Sequence, residues 1–496
     1  MTHPLGQRIA AVLRLAPDSP AIEFDRRWWS WGEVGGYARS IAAVVEQHGG
    51  THPQVGVLLR NTPAHVATFL GVMVAEATLV VINPSRGDDR TRADIAALGL
   101  SMVIGTADDV ATLVVPSGSR TVVVIEGLDE QPVLAPAASR TSGRGRPGVA
   151  VRMLTSGTTG APKRIDLTYD VLARSVLGGD PASIAAPAEP RHGVAIVNAP
   201  LVHIGGVYRV LQCVTEARPF VLLPRFALNA WIDAVRTHRP KAVSLVPAAL
   251  RTVLHSDLTR ADLAGVRAVT SGTAPLSAED ADAFTDKFGI PVLTSYAATE
   301  FGGGVAGWTL SDHRRHWKAK RGSVGRASLG AQLRVVDGDG APLPPGETGL
   351  LEVKPGQLGP ASDWIRTTDV ARIDADGFLW ILGRADQAII RGGFKVMPDD
   401  VRTALESHPA VAGAAVVGRS DDRLGETPVA MVELRAAATA DELIGFLRNR
   451  LARYEIPTDI AIVEAIPRTP SGKADLSAVR RHFVDVVASS RAPHAT

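Results

Sequence analysis

Short apolar runs rich in β-branched residues alternate with longer amphipathic segments through much of this chain: "VGVLL", then "PAHVATFLGVMVAE", then "TLVVI". The alternation returns as "AVSLVP", "AALRTVLHSDL" and "VRAVTSG". A strand that is apolar at every position has no wet face, so it must be covered on both sides, and the amphipathic segments are its natural helical cover. The pattern therefore restricts the chain to α/β layers with largely parallel, buried strands. From about residue 320 the texture changes to strands punctuated by glycine and proline, "AQLRVVDGDG" and "TGLLEVKPG", which suit a small β-rich region. After "LWILGRADQAII" a new unit begins. Pro398 opens a helix, "PDDVRTALESH", followed by strand-like "VAGAAVVG" and "PVAMVEL" and a helix "DELIGFLRNRLARY". The expected architecture is a large N-terminal domain, 1–383, of layered α/β subdomains plus a small β-rich region, then a small α+β C-terminal domain, 384–496.

Composition narrows the function classes. A formal net charge of +2 is too small to argue for nucleic acid or an anionic membrane as partner. With one cysteine, Cys213, an intramolecular disulfide is excluded and a reducing, cytoplasmic location is expected. Cys213 lies in the apolar "VYRVLQCV" and is expected to be a buried structural thiol rather than a nucleophile. The N-terminal segment has Arg8 and Arg14 inside an amphipathic pattern and lacks the apolar core of a signal peptide. The longest apolar region, "VATFLGVMVAEATLVVINP", is broken by Glu76 and ends in a strand-like run, too short for a membrane span.

Chemistry clusters at five places. The first is "RMLTSGTTGAPKRIDLTYD", 152–170, whose hydroxyls, glycines and Lys163 would converge on an anion. It is not the common P-loop, because Pro162 stands before Lys163 and Arg164 after it, where that motif needs glycine and a hydroxyl. The second is "APLVHIGGV", with His203 beside Gly205 and Gly206. The third pairs "TSGTAPLS", 270–277, with "TSYAATEFGGG", 294–304, each an apolar strand running into a loop, where α/β sheets bind ligands. The fourth is "WIRTTDVARIDADGFLWILGRADQAIIRGGFKV", 364–396, with Asp369 and Arg384 bracketing a turn. The fifth is "IPRTPSGKADL", 466–476, a glycine-containing loop carrying Lys473. Taken singly, each has a plain structural reading: a packed histidine, a turn aspartate, a solvated lysine.

In this order and spacing the five motifs closely resemble the acyl-adenylate-forming superfamily of acyl- and aryl-CoA synthetases, peptide-synthetase adenylation domains and beetle luciferase. The resemblance implies ATP, Mg²⁺ and coenzyme A, and a small C-terminal domain that is mobile. By position, Thr155, Ser156, Gly157, Thr158, Thr159, Gly160 and Lys163 would form the phosphate loop. Gly272, Thr273, Ala274 and Pro275, with Ser295, Tyr296 and Ala297, would flank adenine; Thr299 would bind phosphate and Glu300 would hold Mg²⁺. Asp369 and Arg384 match the ribose-binding pair, and Lys473 the lysine that enters the site during adenylation. Asp386 matches the hinge residue and Gly393 the glycine beside which the thiol enters.

The acyl group is expected against His203, Ile204, Gly205, Gly206, Val246, Ala297, Ala298 and Gly303. His203 serves there as gate or wall rather than as a proton-transfer base. Between Ile196 and Val214 no Asp or Glu is present to pair with a substrate ammonium, so a hydrophobic acid without an α-amino group is expected. The resemblance thus implies ATP-dependent formation of an acyl-adenylate, with pyrophosphate release, and then acyl transfer to CoA. The alternative is an enzyme that only adenylates and hands the acyl group to a partner or carrier-protein thiol. A homodimer is an admissible assembly. Three departures from the family pattern, Arg164, Ala297 and Thr368, each stand where glycine is usual, and they detach substrate preference from the resemblance.

Overall fold

The computed structural model describes residues 2–50, 52–115, 120–134, 145–154, 164–328, 330–391, 394–421, 423–469 and 472–490. Among these residues the first sheet runs Val133–Leu134, Thr121–Val124, Met102–Gly105, Gln54–Leu58, Thr78–Ile82, β1 (Val149–Leu154) and β2 (Arg164–Thr168). Its central strands are parallel and buried at every position, as continuous apolar runs require. The helix Pro63–Val74, capped by Thr62, is buried from Pro63 to Met73, with His65 and Thr68 the polar residues among its apolar side chains. That accounts for the longest apolar region of the sequence, and no described helix is long and apolar enough to cross a membrane. A smaller sheet joins Ala195–Val197, Phe220–Leu222, Pro20–Phe24 and Arg27–Ser30.

The elements that carry the candidate site follow. Helix α1 (Ile204–Thr215) packs one face into the main core, and α2 (Pro247–Leu254) opens with proline. Strand β3 (Ala268–Ser271) leads to α3 (Ala278–Phe288), capped by Ser277, and then to β4 (Val292–Ala298), which lies parallel to β3. A short 3₁₀ turn, Thr299–Phe301, reverses the chain into β5 (Gly303–Gly307), antiparallel to β4. Phe284 and Phe288 of α3 are fully buried with ring centroids 4.7 Å apart, and each such burial stabilises by about 1.5–3 kcal/mol.

An antiparallel sheet of Gln332–Val336, Thr348–Lys354, β6 (Ile365–Ile373) and β7 (Leu379–Arg384) forms the β-rich region. Beyond it, residues from Ile389 onward build their own cores around the long hairpin Val411–Asp421 and Gly425–Leu434. The helix α4 (Pro398–Glu406) starts with proline, and Asp399 and Asp400 in its first turn complement the helix dipole. Cys213 is buried, and burial pushes its thiol up to about 11, which suits a packing residue and not a nucleophile at neutral pH.

Candidate active site

Parallel pairing places the carboxyl ends of β3 and β4 side by side, Ser271 opposite Thr294. "GTAP" and "SYAATE" therefore converge at the sheet edge where α/β folds bind ligands. The approach is close: a Cβ at Gly272 would lie 2.8 Å from the Ser295 hydroxyl, so any larger residue would force that hydroxyl to turn away. Thr273 follows with φ of 71°, a strained conformation for a β-branched residue and a mark of functional turns. Ala274 and Pro275 complete that loop before the Ser277 cap.

The next layer joins this edge to the β-rich region. Asp369 of β6 and Arg384 of β7 are cross-strand partners. The Tyr296 hydroxyl donates to the Asp369 carboxylate, which fixes the ring against the ribose-pair candidates. Burial, reinforced by Asp369, raises the Tyr296 pKa and keeps the phenol neutral. Burial also raises the pKa of Asp369, against the opposing pull of the Tyr296 hydrogen bond and the Arg384 charge. The Arg384 guanidinium is clamped by both oxygens of Asp386, at 2.9 and 2.6 Å, so a ribose-pair candidate and the hinge candidate touch.

Glu300 sits exposed in the 3₁₀ turn, with Thr299 half-buried beside it. Lys473 reaches this place from the C-terminal unit, on a tight turn in which the Thr469 N–H donates to the Lys473 carbonyl at 2.7 Å and Gly472 takes φ of 80°. As a residue Lys473 keeps open surface, yet its ammonium lies among surrounding atoms. Desolvation and then the Arg384 charge lower its pKa, while Glu300 and Asp369 pull it up. Glu300, Asp369 and Arg384 thus all act electrostatically on Lys473, from as far as 173 positions away in sequence.

The phosphate-loop candidates Thr155, Ser156, Gly157, Thr158, Thr159, Gly160 and Lys163, and the tunnel candidate Gly393, lie outside the described residues. The loop's flanks are described: Leu154 of β1 pairs with Arg164 of β2, and Arg164 faces Asp94 at 3.9 Å. Arg164, which departs from the family pattern, is therefore engaged by the large domain's own carboxylate.

The acyl-side candidates separate. His203 occupies the N-cap position of α1, and Gly205 is exposed with open space where a Cβ would project. Gly206 differs: its Cβ would fall 2.2 Å from the Pro200 carbonyl oxygen, so this glycine closes the turn before α1 and does not line open space. Ile204 and Val246 are partly buried and pack against the two large cores. Gly303 and Gly304 of β5 pair with Ala298 and Ala297 and form one wall of a cavity of about 190 Å³. The other walls are Ser175, Val176, Tyr208, Gln212 and Gln357. Tyr208 and Ser175 both donate to the Gly302 carbonyl, and Gln357 donates to that of Gly304. Sequence reasoning missed these polar walls, although Tyr208 and Gln212 stand three and seven positions after Gly205 on α1, a spacing that helical periodicity puts on one face.

Residues 9–359 match the family model described as AMP-binding enzyme, and residues 400–473 match the AMP-binding enzyme C-terminal domain. The chain belongs to the AMP-binding enzyme family. Among its curated relatives, feruloyl-CoA synthase of Amycolatopsis sp is 29% identical, covering 97% of this chain and 99% of the relative. Indoleacetate–CoA ligase of Aromatoleum aromaticum is 28% identical over 94% and 96% of the two chains. The ATP-bound structure of MatB from Rhodopseudomonas palustris has the same fold, with a TM-score of 0.79 at 24% identity, covering 97% and 99% of the two chains. This AMP-binding enzyme is an AMP-forming acid–thiol ligase: ATP activates a carboxylic acid as its adenylate, and the acyl group passes to CoA. The adenylation-only alternative is not favoured, since the relatives are CoA ligases.

Proposed function

We propose that this AMP-binding enzyme activates a ring-bearing hydrophobic carboxylic acid without an α-ammonium group. The observation that supports the reading is that Glu300, Asp369 and Arg384 all act electrostatically on the Lys473 ammonium, beside the geometric pairing of Asp369 with Arg384 and Tyr296. Attack of a carboxylate on the α-phosphate brings two anions together and builds charge on the phosphoryl oxygens, so cationic donors must stand where that charge grows. Lys473 supplies one such donor. Asp369 and Arg384 hold the ribose, and the loop around Thr158 and Lys163 holds the leaving phosphates. No general base is needed, because the nucleophile is already ionised.

Glu300 is the residue to hold Mg²⁺. Among the described residues no group of three or more His, Cys, Asp or Glu could hold a metal. A magnesium ion bound mainly by substrate phosphates needs only one or two protein carboxylates, and an exposed Glu300 fits that demand. When bound, the ion neutralises charge on the phosphates.

The domain boundary falls near Arg384, with 384–496 as a small domain turning about Asp386 between the two half-reactions. Lys473 serves the first and the Gly393 segment the second. The cavity beside Gly303 and Gly304 supports a ring-sized acyl group, for a dry cavity of about 150 Å³ already accepts benzene. Its hydroxyl and carboxamide walls suit a ring with a polar substituent. Relatives named for feruloyl and indoleacetyl substrates agree. The single cysteine supports a cytoplasmic location.

ATP–pyrophosphate exchange across aliphatic, aromatic and polycyclic acids, with and without CoA, tests the reading. Strongest exchange is expected with ring-bearing acids and a CoA-dependent thioester product. Robust exchange with a standard amino acid, and none with apolar acids of varied size, overturns it.

A further inference from the structure

An ion network that the adenylation chemistry does not use crosses between the two units. Arg251 of α2 donates from Nε to Asp280 of α3 at 2.7 Å and from Nη2 to Glu406 of α4 at 3.0 Å. Glu406 also accepts from Arg402, one turn earlier on α4, at 2.6 Å, and its other oxygen accepts from the Ala414 N–H at 3.3 Å. Arg402 in turn donates to Asp399 at 3.0 Å. Charges alternate along the whole chain of contacts. The Arg251 and Glu406 side chains are only 14% and 7% exposed, so the bridge is largely withdrawn from water and weakly screened by salt.

Each ion of this bridge has a second partner within its own unit. If the small domain turns, Arg251 keeps Asp280 and Glu406 keeps Arg402. Stranding a buried ion is strongly destabilising, but neither ion here is stranded. Such a contact can close and reopen at every turnover, because the opened state retains a partner for each charge. The large-domain end is anchored as well, since Asp280 lies in the first turn of α3 and the Ser277 hydroxyl accepts from its N–H.

We infer that Arg251 is a positioning residue for adenylation: through Glu406 it holds the small domain in the orientation that brings Lys473 to Glu300, Asp369 and Arg384. The inference rests on the proposed alternation of the small domain. Arg251 touches neither the reacting groups nor the phosphate loop's described flanks; it acts through α4. Arg251→Gln should lower pyrophosphate exchange by about tenfold, between the small loss of an exposed pair and the large loss of a stranded buried one. Thioester formation from supplied acyl-adenylate and CoA should stay unchanged or rise. Arg251→Lys, which keeps the charge, should retain most of the exchange. A merely structural role would lower both half-reactions together, and that result overturns the inference.

A second measurement replaces the ion bridge between α2 and α4 with a covalent one. In the R251C/E406C variant, joined by a short bis-maleimide, exchange should persist while thioester formation is lost; Cys213 is buried and stays unlabelled. A cross-linked enzyme that still forms thioester overturns the inference. Lys473→Ala, run alongside, distinguishes the two failures. If it spares exchange, the alternation itself is wrong and the inference falls with it. If it abolishes exchange while the Arg251 variants behave as wild type, only the role of Arg251 is wrong.

Discussion

Two adjacent glycines beside His203 carry different duties, and only their surroundings tell them apart. Gly205 has open space where a side chain would project, whereas a Cβ at Gly206 would meet the Pro200 carbonyl oxygen at 2.2 Å. Gly206→Ala should therefore destabilise the fold by about 1–3 kcal/mol, the usual range for overpacking, and lower Tm. Gly205→Ala should leave Tm unchanged and instead alter KM for the acid. Equal thermal stability of the two variants, measured by calorimetry, would count against this separation. In the sequence both positions read alike, as flexible residues in a ligand loop. The distinction depends on a backbone oxygen placed by the turn that precedes α1, which no local pattern specifies.

At the scale of elements, the β6–β7 hairpin and the 3₁₀ turn that follows it, Ala385–Gln387, do the joining. Asp369 and Arg384 face each other across the hairpin, and Arg384 is clamped by Asp386 in the turn. The proposed ribose pair and the proposed hinge are thus joined through Arg384, so a change at residue 386 should be felt at a bound nucleotide. Asp386→Pro fixes φ at the proposed hinge and should hold the small domain in place. Pyrophosphate exchange should persist and thioester formation should fail, read by following each half-reaction separately. The proline also releases Arg384 from its clamp, so a modest rise in KM for ATP is expected beside the loss of thioester. Collapse of exchange would show that residue 386 serves adenylation directly.

At the scale of the whole molecule, the proposed adenylation step relies on a lysine of the C-terminal unit acting beside carboxylates of the large one. Lys473→Ala should reduce adenylation by about a hundredfold or more, comparable to deleting one oxyanion donor. Thioester formation from supplied acyl-adenylate should survive far better, and equal loss in both would refute the role. How much of this was legible beforehand follows from what each feature depends on. Buried strands and helix starts such as Pro398 are local: periodicity and capping write them into consecutive residues, so the layered fold could be read from the sequence alone, while the adenylating chemistry came from the resemblance that the order of five motifs carries. The polar walls at Tyr208, Gln212 and Gln357, the packed duty of Gly206 and the Arg251–Glu406 bridge could not. Each of these is a meeting of segments far apart in the chain, decided by how helices and sheets pack, and a charged or polar residue carries no local sign of the partner that packing will bring to it.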